Sequence, residues 1–121
     1  EILRYDPPLH IFTRFAYENV TVDDIDIASG EKISLVIGAS GQDERRWENP
    51  SEFIPNRRPI THNSFGAGTH FCLGAPLARL EVDLALKNLF DKKRHIEIIK
   101  KPEYADIYHF HGLKSLNVEM R

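Results

Sequence analysis

One residue in this 121-residue chain can act as a thiolate metal ligand or a sulfur nucleophile: Cys72, its single cysteine. It lies within SFGAGTHFCLGAPLARLE, residues Ser64 to Glu81. Three glycines surround it, Gly66, Gly68 and Gly74, and glycine permits backbone conformations and close approaches closed to other residues. Phe65 and Phe71 offer apolar cover, and His70, two residues upstream, can donate a charge-assisted hydrogen bond to an anion. Pro76 suits the first turn of a helix, where its missing N–H costs nothing. Cys72 therefore precedes a predicted helix start at Ala75, where unpaired N–H groups and the helix dipole favour a thiolate. A thiolate in a glycine-rich loop suits a soft or borderline metal approached from one side. Two other readings stay open on chemistry alone. A lone cysteine is most often a buried, packed side chain, and a thiol nucleophile with a histidine base is a third possibility.

The elements that hold this loop can be read from pattern and punctuation. Glu1 to Tyr5 reads as a helix end, and Pro7 and Pro8 forbid its continuation. So short a helix is not stable alone, which suggests a piece of something longer. Val20 to Ile27 alternates imperfectly, Ala28 to Glu31 reads as a turn, and Lys32 to Ser40 is β-rich, so a hairpin between the two runs is expected. Gln42 to Pro59 has no clean period, carries three prolines and dense charge, and is expected to be irregular, anchored by Trp47 and Phe53. From Ala75 to about Lys92, Leu77, Leu80, Leu84 and Leu89, with Val82, Leu86 and Phe90, mark a helix with a wide apolar stripe. Lys87, Lys92, Lys93 and Arg94 load its far end, which complements the dipole and would also suit docking of an acidic electron donor. His95 to Ile99 reads as a short strand, and Ile107 to Met120 as a closing hairpin turning near Gly112 to Ser115.

Composition narrows the function classes. With 41% hydrophobic and 28% charged residues the chain is an ordinary globular sequence, for which one domain is expected. A formal charge of −2 carries no global signal for nucleic acid. A single cysteine excludes an internal disulfide and a multi-cysteine zinc site, and suits a reducing, cytoplasmic setting. No apolar run approaches the roughly 18 residues that span a membrane.

The loop FGAGTHFCLG resembles the haem-binding loop of the cytochrome P-450 family, with Phe65, Gly66, Gly68, His70, Cys72 and Gly74 filling its fixed positions. EILR resembles the family's Glu-x-x-Arg motif, at Glu1 and Arg4, and FIPNR its Phe-x-Pro-x-Arg segment, giving Arg57 as third member of that ion network, with Arg58 as a competitor. RYDPP and TRFA resemble the stretch that follows, and HIEII with HGLKSLNV the C-terminal sheet. One departure is Gly41, Gln42 and Asp43, where the family often has Asn-Arg-Asp.

The resemblance implies an α+β chain, the C-terminal part of the mainly α cytochrome P-450 fold. It would carry β-hairpins, an irregular meander, the haem-binding cysteine loop and a long helix, with residues 1–121 as an incomplete domain of bacterial or archaeal type. It implies haem b, with Cys72 as proximal iron ligand and His70 and Arg14 pairing with the propionates. Phe65, Gly66, Gly68 and Gly74 would shape the loop. Glu1, Arg4 and Arg57 would form a structural ion network. Leu9 to Thr13 and Tyr108 to His111 would face a small apolar substrate. A ferredoxin- or flavodoxin-like donor is implied as partner, along with the remaining N-terminal part of the fold, and neither nucleic acid nor a membrane. The family's oxygen-activating acid and alcohol pair has no counterpart here, so no catalytic residue is assigned. The chain is then either the proximal portion of a monooxygenase, inactive in isolation, or a non-catalytic remnant or split haem-binding module.

Overall fold

The fold is taken from a computed structural model, which describes residues 1–91 and 95–121. The chain divides into two compact units, Glu1–Ser64 with Ile107–His111, and Phe65–Asp106 with Gly112–Arg121.

In the first unit, helix α1 (Ile2–Tyr5) stops at Asp6, whose extended backbone leads into the Pro7–Pro8 pair. Strand β1 (Ile11–Phe15) follows, then β2 (Val20–Val22), β3 (Ile25–Ile27) and β4 (Lys32–Val36), and a single helical turn α2 (Ile37–Ser40). The expected hairpin between the 20–27 run and the 32–40 run does not form. Strands β2 and β3 pair with each other, Val20 opposite Ile27. Asp23 and Asp24, with φ of 46° and 64°, close this ladder as a two-residue turn, a conformation that Asp tolerates better than most residues. Strand β4 pairs antiparallel with β1 instead, Arg14 opposite Ile33. Gly30, at φ 87°, helps bring the chain back, its N–H donating to the carbonyl of Ala16 at 2.7 Å.

The core of this unit is small and partly ionic. Ala16 and Trp47 are buried, and so are Arg4, at 0% exposure, and Arg57. The segment from Gln42 to Pro59 is irregular, as its prolines dictate. Trp47 anchors it, with its indole N–H donating to the Ser40 carbonyl at 3.1 Å. Phe53 is half exposed and meets Tyr5 edge to face at 5.6 Å.

In the second unit, a 3-10 turn (Gly68–His70) precedes helix α3 (Ala75–Phe90), which carries Pro76 in its first turn. Strands β5 (Ile96–Ile98), β6 (Glu103–Tyr104), β7 (Leu113–Ser115) and β8 (Val118–Met120) form two ladders, β5 with β8 and β6 with β7. The expected closing hairpin is therefore corrected. Leu113 to Ser115 is a strand rather than a turn, because its partner is Glu103 and Tyr104, while Val118 to Met120 reaches back to β5. The apolar stripe of α3 stays open, with Leu77, Leu80, Val82, Leu84, Leu86, Leu89 and Phe90 all exposed. Only Ala75 of α3 is buried. Lys92, Lys93 and Arg94 lie outside the described residues.

Candidate functional site

The cysteine loop is shaped by its own backbone. Cys72 donates its N–H to the Phe65 carbonyl at 2.8 Å, which closes the loop on itself. Its carbonyl accepts from Ala75 N–H at 3.2 Å, tying the loop to the start of α3. Gly66 and Gly68 take φ of 73° and 63°, the left-handed region where a side chain is strained. A Cβ on Gly68 would meet nothing within 4 Å, so that residue borders open space. Gly74 departs from expectation: its φ of −80° is open to any residue, and what its missing Cβ spares is space 3.8 Å from the Cys72 sulfur. Phe65 and Phe71 face each other at 6.4 Å, and Arg79 places its guanidinium 4.6 Å from the centre of the Phe65 ring. Cys72 is free and exposed, so the reading of a buried, packed cysteine is overturned. His70 is also exposed and ends the 3-10 turn. The arrangement presents one exposed sulfur donor, an imidazole two residues before it, and a glycine, Gly68, that borders open space.

The ionic cluster lies in the first unit. Arg4 donates through Nε to Glu1 Oε2 at 2.9 Å and through Nη2 to Glu1 Oε1 at 2.8 Å, a two-pronged pairing. Its other donors reach the carbonyls of Gly41, Pro50 and Glu52. Arg57 donates to Glu1 Oε1 at 3.1 Å and to the carbonyls of Glu48, Asn49 and Glu52. Arg58 instead donates to the Arg57 carbonyl, so Arg57 is the third member. The Arg4 fork holds the Glu1 carboxyl down to about 2, against an opposing effect of burial and with help from the Ile54 N–H and Arg57. Two buried arginines thus hold one carboxylate and gather five carbonyls from the irregular segment and the turn before it. Arg4 also lies 5.5 Å from the Trp47 ring centre, and Arg46 lies 5.7 Å from the same ring.

Arg14 is exposed on β1, where it donates to the Thr13 carbonyl at 2.9 Å. The two segments expected to face a substrate, Leu9 to Thr13 and Tyr108 to His111, meet through a bridge between Leu9 and Phe110. Lys87 pairs with Asp83 at 2.6 Å along α3, the expected companion of a solvated helix surface.

Sequence reasoning missed the carbonyl acceptors of Arg4 and Arg57, since backbone oxygens carry no residue signature. It also missed Ser64, whose hydroxyl donates to the Leu3 carbonyl, and the stacking of Arg79 on Phe65.

Comparison with known proteins gives concordant matches. The profile of the family described as Cytochrome P450 matches residues 1–101. The protein called cytochrome P450 119 of Sulfurisphaera tokodaii is 42% identical over 120 residues, covering 99% of this chain and 32% of the relative. The protein of the same name from Sulfolobus acidocaldarius is 43% identical over 121 residues, 100% of this chain and 33% of the relative. A crystal structure of P450BioI in complex with acyl carrier protein ligated to hexadec-9Z-enoic acid superposes with a TM-score of 0.94 at 33% identity. It covers 98% of this chain and 31% of that one. The chain spans about a third of the length of the relatives it matches. Its helices and β-ladders are those of the C-terminal part of that fold.

Proposed function

Because the chain belongs to the cytochrome P450 family, we propose that it is the proximal, haem-ligating portion of a monooxygenase, with Cys72 as the iron ligand. The observation that carries this reading is an exposed sulfur, with a Cβ spared 3.8 Å from it at Gly74, in a loop bent by left-handed Gly66 and Gly68 at the head of a long helix. The donor set fits the group: a single thiolate suits haem iron. Bound haem b would supply dioxygen activation, and thiolate donation favours O–O cleavage.

The chain's own residues hold that group. Cys72 would supply the sulfur, and the left-handed backbone at Gly66 and Gly68 would shape the loop that presents it. Phe65 and Phe71, in edge contact with each other, would offer apolar cover to the bound group. His70 and Arg14 would donate hydrogen bonds to the haem propionates, an assignment their exposure supports. Glu1, Arg4 and Arg57 take no part in chemistry. They lock the irregular segment in place. A small apolar substrate would lie against Leu9 to Thr13 and Tyr108 to His111. A ferredoxin- or flavodoxin-like protein would deliver electrons, in a cytoplasmic, reducing setting that suits an exposed thiol. Among the described residues no helix is long and apolar enough to cross a membrane.

The open stripe of α3 supports a further point. Seven large apolar side chains exposed on one helix need a covering partner, which the rest of such a fold would provide as part of one incomplete domain. The same observation favours a second reading, a split or non-catalytic haem-binding module that works only when complemented. Titrating haem into the purified protein tests the proposal. Saturable uptake with a strongly red-shifted Soret band in the ferrous carbon monoxide form is expected, and Cys72→Ala should lose that band while retaining its fold. Persistence of the band in Cys72→Ala would overturn the assignment.

A further inference from the structure

We propose that Asp6, His10 and His111 form a binding site for one divalent transition-metal ion of the zinc class, separate from the cysteine loop. All three lie in the first compact unit. Their ligand atoms are within 4.8 Å of one another. His111 Nδ1 and His10 Nε2 converge on the same carboxylate oxygen, Asp6 Oδ1, at 2.8 and 3.3 Å. Ligands in a tetrahedral zinc site, bound at about 2.0–2.1 Å, stand about 3.3 Å apart. One imidazole is therefore at ligand spacing from the carboxylate, and the other is half an ångström or so inside it.

The side chains are held on a fixed frame. The backbone N–H of His10 donates to the His109 carbonyl at 3.1 Å, and the backbone N–H of His111 to the Pro8 carbonyl at 2.9 Å. Leu9 and Phe110 bridge between them, so the two histidines leave adjacent strands side by side. Asp6 is fixed by its own N–H, which donates to the Ile2 carbonyl at 2.9 Å. The His10 and His111 rings stack at 4.5 Å and 30°. The His10 ring also lies 3.4 Å from the place a Gly38 side chain would start. Two neighbours thus limit the ring's rotamers, which reduces the entropy to be lost on binding.

The donor set selects the ion. Two imidazoles and one carboxylate suit zinc, copper, nickel or iron rather than magnesium or calcium, which prefer oxygen alone. Three protein ligands leave a coordination position open to water or an incoming group, the pattern of sites that engage an external ligand. The cluster is about one-third to one-half exposed, so a hydrated ion can reach it. Both segments that carry the histidines are those proposed above to face a substrate, but the metal site does not depend on that reading.

The test is isothermal titration of zinc chloride into the haem-free chain, with Cys72 alkylated so that its exposed thiol cannot compete. One equivalent binding in the micromolar range is expected, weakened at least about tenfold in Asp6→Asn and in His111→Ala and unchanged in His95→Ala. A second measurement needs no variant. Zinc should protect His10 and His111, and not His95, from carbethoxylation mapped by mass spectrometry. Zinc binding that both variants leave intact, absence of a one-equivalent site, or equal modification of the three histidines with and without zinc would each overturn the proposal.

Discussion

Replacing Arg4 by lysine keeps the positive charge and removes the planar fork that the structure uses. Arg4 is 0% exposed and makes five hydrogen bonds, two to Glu1 and one each to the carbonyls of Gly41, Pro50 and Glu52. An ammonium has three donors on one point, so at least two of these acceptors lose their partner. Arg57 still reaches Glu1 and the Glu52 carbonyl, which confines the loss to Glu1 Oε2 and the carbonyls of Gly41 and Pro50. Hydrogen bonds to charged groups contribute about 1.5–3 kcal/mol each, so two of them amount to about 3–6 kcal/mol, which overlaps the roughly 3–5 kcal/mol found when a buried ion pair is broken. That is a large part of the roughly 5–15 kcal/mol by which domains are stable. Trp47 is the one tryptophan in the chain and sits 5.5 Å from the Arg4 guanidinium, so its fluorescence reports this cluster directly. In urea, with a slope of about 1–3 kcal/mol per molar, Arg4→Lys should lower the Trp47 midpoint by about 2 M. A midpoint equal to that of the parent protein, at the same slope, would show that the fork geometry contributes nothing and that any buried cation suffices.

Other outcomes follow from the same contacts. Glu1 titrates near 4.5 when unfolded and near 2 when folded, so its stabilisation is complete above about pH 4.5 and is lost as pH falls toward 2. Asp43, held near 2 by Arg45, loses a partner in the same window. The difference between parent and Glu1→Gln in acid denaturation isolates the Glu1 share, and parallel pH profiles would refute it. A Cβ at position 41 would collide with the Arg4 carbonyl, so Gly41→Ala should destabilise by about 1–3 kcal/mol, read as a lowered thermal midpoint. Asp24, at φ 64° in the β2–β3 turn, should accept glycine with a gain of a few tenths to about 1 kcal/mol, seen as a raised midpoint in the same melt.

Much of this was legible in the residues, for identifiable reasons. Pro7 and Pro8 end α1, and Pro76 opens α3, because a missing N–H and a fixed φ act locally. The spacing of Phe65, Gly66, Gly68, His70, Cys72 and Gly74 marked the cysteine loop, and the left-handed backbone at Gly66 and Gly68 accounts for two of its glycines. Strand partners were not legible. The alternation in Val20 to Ile27 and the β-rich run after it told that strands exist. Only the turn at Asp23 and Asp24 decides that β2 pairs with β3 and frees β4 for β1. The same gap misplaced the C-terminal hairpin, since β5 and β8 are joined across some twenty residues by pairing that leaves no local pattern. Arg57 was marked as an ion-network member, but its carbonyl acceptors were not, and neither was the meeting of Asp6 with His111 across the Leu9–Phe110 bridge.

The central claim is that Cys72 holds haem iron through its sulfur. The most direct measurement is the ferrous carbon monoxide spectrum of the haem-loaded protein beside that of Cys72→Ser. The account predicts a strongly red-shifted Soret band for the parent and its loss in the variant at equal haem content. An unshifted band in the parent, or the same red-shifted band in both, would contradict it.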